Sequence, residues 1–447
     1  MLKQRWKLFA SLTVFLCSRL WILLGWGPYI TDVHHYVHVA TRAIVLGETP
    51  YEQFEYGYPP LSLPFIFLPI YFSTDFHAYR LGLQIEMFIA DLLCLLVFIL
   101  FMKQRLDLDE NRIALAVLSY ALFGLGVGHI IYDRLDTVVA LVFVCCLYFY
   151  SEKGEVRFPF VLSVVAGTLY KMVPLVWAPI SILTASFANT VSETNRAGRR
   201  RAKKERVNFP WGQIVRRTLL LVGPIALFLW VYNAGVDGKL FEGLSMQGKR
   251  GIQIESTWAT PYMVGSALKW IEPVGIASNY EAHHLAEASV PKIVVSLSKV
   301  AGFAILGTFY GWLGWYFCRT KQKLGELRLN HRIHFFLMIS VLLFFLISQR
   351  VLSTTFLIWT IPGLSLWWVL RNSWTAAALL LLLYGLTYIG FSVGYWDFVT
   401  MDPRFVLTVS ARNVLLVALT EWVVGSTIRL LLTENQKYSK DQMVDYS

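Results

Sequence analysis

FPFVLSVVAGTLYKMVPLVWAPISILTASF, from Phe158 to Phe187, is the stretch on which the topology of this chain turns. It is apolar almost throughout, yet it is longer than the roughly 20 residues of a straight bilayer crossing, and Lys171 and Pro174 interrupt it near its middle. Proline removes a backbone donor and breaks a helix, and a lysine inside an apolar helix must meet water, a carboxylate or an anion. The stretch therefore reads as two short helices folded into a hairpin. Its sequel supports that reading. The run Arg196-Ala-Gly-Arg199-Arg200-Arg201-Ala-Lys203-Lys204-Glu-Arg206 joins the other basic loops on one side only if the chain turns back near Lys171.

Working outward, apolar blocks of bilayer-crossing length precede the hairpin at Leu8 to Gly27, Tyr79 to Met102, Arg112 to Ile130 and Leu135 to Tyr150. Others follow at Thr218 to Asn233, Ile293 to Phe317, Ile333 to Ile347, Phe356 to Leu370, Trp374 to Phe391 and Phe405 to Leu432. The fold class expected is all-α: a polytopic membrane protein with about twelve transmembrane helices and both termini on one side. Lys3, Arg5 and Lys7, then Lys103, Arg105 and Arg112, Lys153 and Arg157, and Arg319, Lys321, Lys323, Arg328 and Arg332 all fall on that side. The positive-inside rule makes it cytoplasmic. Residues 1 to 432 form one membrane domain, and the polar tail from Thr433 is expected to be disordered and cytoplasmic.

Composition agrees. Of 447 residues, 56% are hydrophobic and 15% charged, more apolar surface than one soluble core can bury. The net charge of +11 resides in short loops between apolar blocks, so it reads as topology and not as a nucleic-acid surface. Five cysteines lie within or at the ends of the blocks without a CxxC, which indicates neither a disulfide framework nor a zinc site. The first block follows a basic start, as in a signal peptide, but it is long, contains Arg19 and lacks a small-x-small cleavage site, so it is expected to be retained.

Two long segments remain on the outer side, Pro28 to Ala78 and Ala234 to Lys292. The first holds Tyr29-Ile-Thr-Asp32-Val-His-His-Tyr36 and continues through Gly47-Glu-Thr-Pro50-Tyr51 to Glu55-Tyr-Gly-Tyr58-Pro59-Pro60. Loops that long and that rich in acids and aromatics usually carry function. Leu61 to Phe72, short and with Pro64 and Pro69, is expected to lie at the membrane interface.

Asp32 stands just beyond the first block, where a carboxylate can take a proton from a hydroxyl; on the residues alone, an N-cap for the next helix explains it equally well. His34, His35 and His38 match no metal-ligand spacing and read as interfacial polar residues. Arg134 and Asp136 are either an ion pair at a helix start or substrate contacts. Lys171 needs an anionic partner, and Arg19 and Arg412 need buried ones. Gln247-Gly-Lys249-Arg250-Gly251-Ile-Gln253-Ile-Glu255-Ser256 sets two cations between glycines, a loop able to wrap a phosphate. Ser348-Gln349-Arg350-Val-Leu-Ser353-Thr354-Thr355 adds a cation among hydroxyls on the same side. No Walker sequence or dinucleotide fingerprint is present.

These residues resemble the polytopic GT-C glycosyltransferases, in particular glycosyltransferase family 87, which includes polyprenyl-phosphate-mannose-dependent mannosyltransferases. The resemblance runs through Asp32 with Tyr36, Gly47-x-x-Pro50-Tyr51, Tyr58-Pro59-Pro60-Leu61, Arg134-x-Asp136, Lys171-x-x-Pro174, Arg250-x-x-Gln253-x-Glu255-Ser256, Ser348-x-Arg350-Val-x-Ser353 with Trp359 and Pro362, and Arg412-Asn413. This chain has Glu55-Tyr-Gly-Tyr-Pro-Pro where the family has Glu-Tyr-Pro-Pro, Thr354-Thr355-Phe356 where it often has Pro-Gln-Tyr, and Arg350 in place of a lysine.

The resemblance implies an inverting transfer of a hexose, mannose above others, from a polyprenyl-phosphate donor to a lipid or glycan acceptor outside the cytoplasm. Asp32 would be the general base and no cofactor would be needed. Lys249, Arg250, Arg350 and Lys171 would hold the donor phosphate, and Tyr36, Tyr51, Tyr58, Arg134, Asp136 and Glu255 would contact substrate. Two alternatives stay open: a secondary transporter, which internal pseudo-symmetry would favour, and a polymerase or ligase acting on diphosphate-linked glycans.

Overall fold

The computed structural model describes residues 2–25, 31–188, 209–279, 282–324 and 329–444. The Arg196 to Arg206 run, and Tyr29 and Ile30, lie outside the described residues. The described chain is helical nearly throughout. In order come α1 (Leu2–Leu24), α2 (Thr31–Ala40), α3 (Leu63–Phe67), α4 (Phe76–Gln104), α5 (Glu110–Val127), α6 (Ile130–Asp133), α7 (Asp136–Phe149), α8 (Phe158–Tyr170) and α9 (Ala178–Ala188). Then follow α10 (Trp211–Gly235), α11 (Leu240–Lys249), α12 (Thr260–Ala267), α13 (Lys292–Leu324), α14 (His331–Ser348), α15 (Ile361–Arg371), α16 (Trp374–Tyr388), α17 (Tyr395–Val399) and α18 (Pro403–Val444).

Among the described residues, 8 helices are long and apolar enough to cross a bilayer: α1, α4, α5, α10, α13, α14, α16 with its π-helical extension, and α18. The other crossings expected, over Leu135 to Tyr150, the two arms of the hairpin and Phe356 to Leu370, are shorter helices. Polar residues set their limits. Asp136 opens α7, and a 3₁₀ segment, Thr354–Thr360, replaces the first turns before α15. The chain is a multi-pass integral membrane protein of the all-α class. Helix starts are capped where the apolar blocks begin. Asp75 Oδ1 accepts from the His77 and Ala78 amides at 3.0 Å, and Asn330 Oδ1 from that of Ile333 at 2.9 Å, satisfying donors that have no partner inside the helix.

α14 is the central helix, buried along nearly its whole length against α18, α13 and α9, while α10 and α13 turn residues such as Trp230, Leu219, Phe303 and Trp315 outward. The hairpin is present. Tyr170 Oη donates to the Leu135 carbonyl at 3.0 Å, beside the start of α7. At the far end Thr184 Oγ1 lies 3.5 Å from His334 Nδ1, and the His334 ring stacks on Tyr150 at 3.7 Å, just past the end of α7. α8 thus runs up α7 and α9 runs back down.

Pro60 to Tyr71 forms 3₁₀ turns around α3 that bury Leu63, Ile66 and Ile70 and expose Leu68, Tyr71 and Phe72, the two-faced pattern of an interfacial segment. Two features depart from expectation. The second long segment carries a two-stranded antiparallel hairpin, β1 (Ile276–Asn279) and β2 (Ala282–Leu285), with Ile276 opposite Leu285. It packs with Ile252, Ile254, Met263 and Val290 over Phe398, Val406 and Val409 in a small core of its own. The polar segment from Thr433 is not an unstructured tail as far as Val444, because α18 continues through it and its sequence has no glycine or proline to stop a helix.

Candidate functional site

The polar residues converge on one five-residue run, Tyr132-Asp133-Arg134-Leu135-Asp136, between α6 and α7, and each is held by a different part of the fold. Tyr132 Oη donates to Asp91 Oδ2 of α4 at 2.7 Å. Asp133, fully buried, receives both Arg80 Nε (2.8 Å) and a terminal Arg80 nitrogen (2.6 Å), and Gln84 Nε2 at 2.8 Å. Arg134 ion-pairs with Asp32 of α2. Asp136 Oδ1 accepts from Lys171 Nζ and from Trp359 Nε1, both at 2.6 Å. Buried charge is tolerable here because each carboxylate is paired and hydrogen-bonded. Arg134 and Asp136 do not close on each other: Arg134 is extended, Asp136 begins a helix, and their side chains diverge to Asp32 and Lys171.

Asp32 falls inside the first turn of α2, so the N-cap reading gives way to a buried carboxylate aimed at Arg134. Tyr36 lies one turn further on the same face, fully buried, with its ring 6.3 Å from that of Tyr58. Burial, reinforced by the Tyr58 hydroxyl, holds the Tyr36 phenol well above its ordinary pKa, so it stays neutral and able to donate. Tyr51 sits apart. Its hydroxyl is taken by the Tyr58 carbonyl at 2.5 Å and its ring wedges between Tyr56 and Tyr232, so it braces the loop that presents Tyr58.

Lys171 finds its anionic partner in Asp136, and its ammonium lies 5.6, 5.4 and 5.2 Å from the ring centres of Tyr58, Phe356 and Trp359. Burial pulls its pKa below the usual lysine value, and Asp136 pulls it back. Glu255, also buried, accepts from the Thr354 amide (2.8 Å) and the Thr354 hydroxyl (3.0 Å). Its carbonyl takes a terminal nitrogen of Arg412 at 2.8 Å and Asn413 Nδ2 at 3.1 Å. Thr354 therefore anchors the acid of the second long segment.

Beside this cluster opens a cavity of about 350 Å³ lined by Lys249, Arg250, Lys299 and Arg350, with Glu287 as a counter-charge and Ile252, Leu285, Val290 and Val295 as an apolar wall. Arg350 donates to the Gly248 carbonyl, and its own carbonyl accepts from Gln253 N at 2.9 Å, tying the two loops together. Arg250 links cavity and cluster, since its charge is felt by both Arg134 and Lys171. Among the described residues, the buried Nε atoms of Arg134 and Arg250 have no hydrogen-bond acceptor; Arg134 already carries Asp32 as its counter-charge, whereas Arg250 lines the cavity. Burial lowers the Arg134 and Arg350 pKa values.

The structure thus brings Asp32, Tyr36, Tyr58, Arg134, Asp136 and Lys171 together, sets Lys249, Arg250 and Arg350 around the adjoining cavity, and uses Glu255 to fasten one loop to the next. Sequence reasoning missed Lys299, Arg80 and Gln84. The signal for Lys299 was present, since a lysine inside the apolar block Ile293 to Phe317 calls for a partner.

No family model and no curated protein matches the chain. Among solved structures, the crystal structure of ArnT from Cupriavidus metallidurans bound to undecaprenyl phosphate aligns with a TM-score of 0.43 and 11% sequence identity, over 94% of this chain and 77% of that one.

Proposed function

We propose that the protein is a GT-C-type membrane glycosyltransferase that moves a hexose, mannose by the family resemblance, from a polyprenyl phosphate to an acceptor hydroxyl on the extracytoplasmic face, with inversion. One observation carries the reading: a buried carboxylate, Asp32, is held by Arg134 in a cluster that adjoins a cationic cavity with an apolar wall. Asp32 takes the proton of the acceptor hydroxyl as that oxygen attacks the anomeric carbon. The bond from that carbon to the phosphate oxygen breaks on the opposite face, and the lipid phosphate leaves into the field of Arg250, Arg350 and Lys249. Lys171, paired with Asp136, stands in the adjoining cluster, with the rings of Tyr58 and Trp359 available to the sugar.

The two ends of the bundle support the sidedness. Asp32, Asp136 and the cavity cations gather at one end of α7. At its other end Arg105 donates to the Tyr148 carbonyl at 3.1 Å, Arg217 to that of Gly154 at 2.8 Å and Lys321 to that of Phe187 at 3.3 Å, so cytoplasm-type basic loops and the site lie apart.

The test is to incubate purified protein with a panel of polyprenyl-phosphate sugars and follow release of the lipid phosphate. Release that requires both an acceptor and Asp32 is expected. Release of a lipid diphosphate from diphosphate-linked glycans would assign a ligase instead, and no release from any donor would overturn the reading.

A further inference from the structure

Lys299 has no part in the cluster around Asp32 and was not among the residues expected to bind phosphate, yet it lines the cationic cavity from α13. Val295, one turn before it, lines the same cavity, and Phe303, one turn after it, is 81% exposed. Positions four apart share a helix face, so Val295, Lys299 and Phe303 form a strip one side chain wide that leads from the cavity onto the lipid-facing surface of α13. α13 is close to the loop that carries Arg350. A Cβ on Gly302 would come within 2.4 Å of Gln349 Nε2, so the helix lies against the side chain of the residue before Arg350. Lys299 and Arg350 therefore face the cavity from neighbouring walls.

We infer that this cavity is reached sideways from the bilayer, and that Lys299 binds the phosphate of a single-chain prenyl phosphate whose tail lies along Val295 and Phe303. The inference rests on the donor reading above and assigns its portal and one more phosphate-binding residue. The chemistry is complementary: a lipid phosphate needs cations at one end and apolar surface at the other, and the cavity sets its cations against Leu285, Val290 and Val295. A lysine on a lipid-facing helix also has a flexible stem, which can carry a headgroup from the interface to Arg350 and Arg250.

The test measures binding of decaprenyl phosphate, decaprenol and inorganic phosphate to the full chain in phosphatidylcholine nanodiscs. Lys299→Glu is expected to weaken decaprenyl phosphate binding by about tenfold to a hundredfold, the range for hydrogen bonds to charged groups, while Lys299→Arg stays within about threefold of the parent. Lys292→Glu on the same helix, exposed and not lining the cavity, is expected to change little. Equal losses in Lys292→Glu and Lys299→Glu would replace the site with a diffuse surface charge. Competition by inorganic phosphate at concentrations matching decaprenyl phosphate would refute the prenyl track. Undiminished binding in Lys299→Glu would overturn this inference alone, whereas a parent protein that binds no prenyl phosphate would overturn the donor reading with it.

Discussion

Asp32 and Arg134 are both largely buried, with side chains 7% and 17% exposed, and they pair directly. Substituting each partner in turn, and then both, separates a structural ion pair from a catalytic carboxylate. Asp32→Asn leaves the Arg134 guanidinium facing a neutral amide, and Arg134→Met leaves the Asp32 carboxylate without its cation. Breaking a buried pair from either side costs about 3 to 5 kcal/mol, because the remaining charge is uncompensated. Replacing both partners removes both charges, and apolar or neutral replacements of buried pairs are often close to neutral, so the double variant Asp32→Asn/Arg134→Met is expected to return to within about 1 to 2 kcal/mol of the parent.

Transfer is expected to behave differently. With the base gone, turnover falls by about a hundredfold or more in Asp32→Asn and is not restored in the double variant, however stable it is. Denaturation midpoints in detergent, read beside initial rates of lipid-phosphate release, give both axes. A double variant that regains stability and transfer together would show that Asp32 acts only as the partner of Arg134, and the proton acceptor would have to be sought at Asp136 or Glu255.

Arg250→Ala and Arg350→Ala are each expected to weaken donor use by about 1.5 to 3 kcal/mol in kcat/KM; unchanged kinetics in both would remove the phosphate assignment. Gly124→Ala would place a Cβ 2.3 Å from an Arg19 guanidinium nitrogen, so it is expected to disturb the Arg19–Asp91 pair (2.8 Å) and destabilise the packing of α1 on α5 by about 1 to 3 kcal/mol. Gly223→Ala, with open space around it, is the matched control in the same denaturation assay. Lys249→Cys is expected to react with an impermeant thiol reagent in intact cells, and labelling only after permeabilisation would invert the topology.

What could be read in advance depended on the range of the interaction. The hairpin was legible because its causes are local: Lys171 and Pro174 sit where the helix has to break. The helix starts at Asp75, Asp109 and Asn330 are local in the same sense, a capping side chain two or three residues ahead of the amide it accepts from. The Asp32–Arg134 pair was not legible, since both residues invite a local explanation, an N-cap for one and the nearby Asp136 for the other, and only the placement of α2 on α3 and α4 decides between partners. The β-hairpin escaped because its strands are four residues each, and His283-His284 has no alternation of polar and apolar positions. The Tyr51 hydrogen bond was not legible for a related reason: its place in a motif says nothing of which carbonyl its hydroxyl meets.

The distribution of charge carries the argument one step further. Around Asp32 the charges are matched in pairs, Asp32 with Arg134 and Asp136 with Lys171. In the adjoining cavity Lys249, Arg250, Lys299 and Arg350 face one lining acid, Glu287. A neutral group, such as a sugar or an acceptor hydroxyl, can occupy the matched region without leaving a buried charge unpaired. An anion gains only in the unmatched one. If the donor reading holds, the two regions divide the reacting molecule at the bond that breaks, sugar against Asp32 and phosphate against the cations. The excess positive charge then does more than bind. It stabilises the negative charge that grows on the departing phosphate oxygen while leaving the neutral end of the donor little affected, so its effect is greater in the transition state than in the bound donor, as catalysis requires.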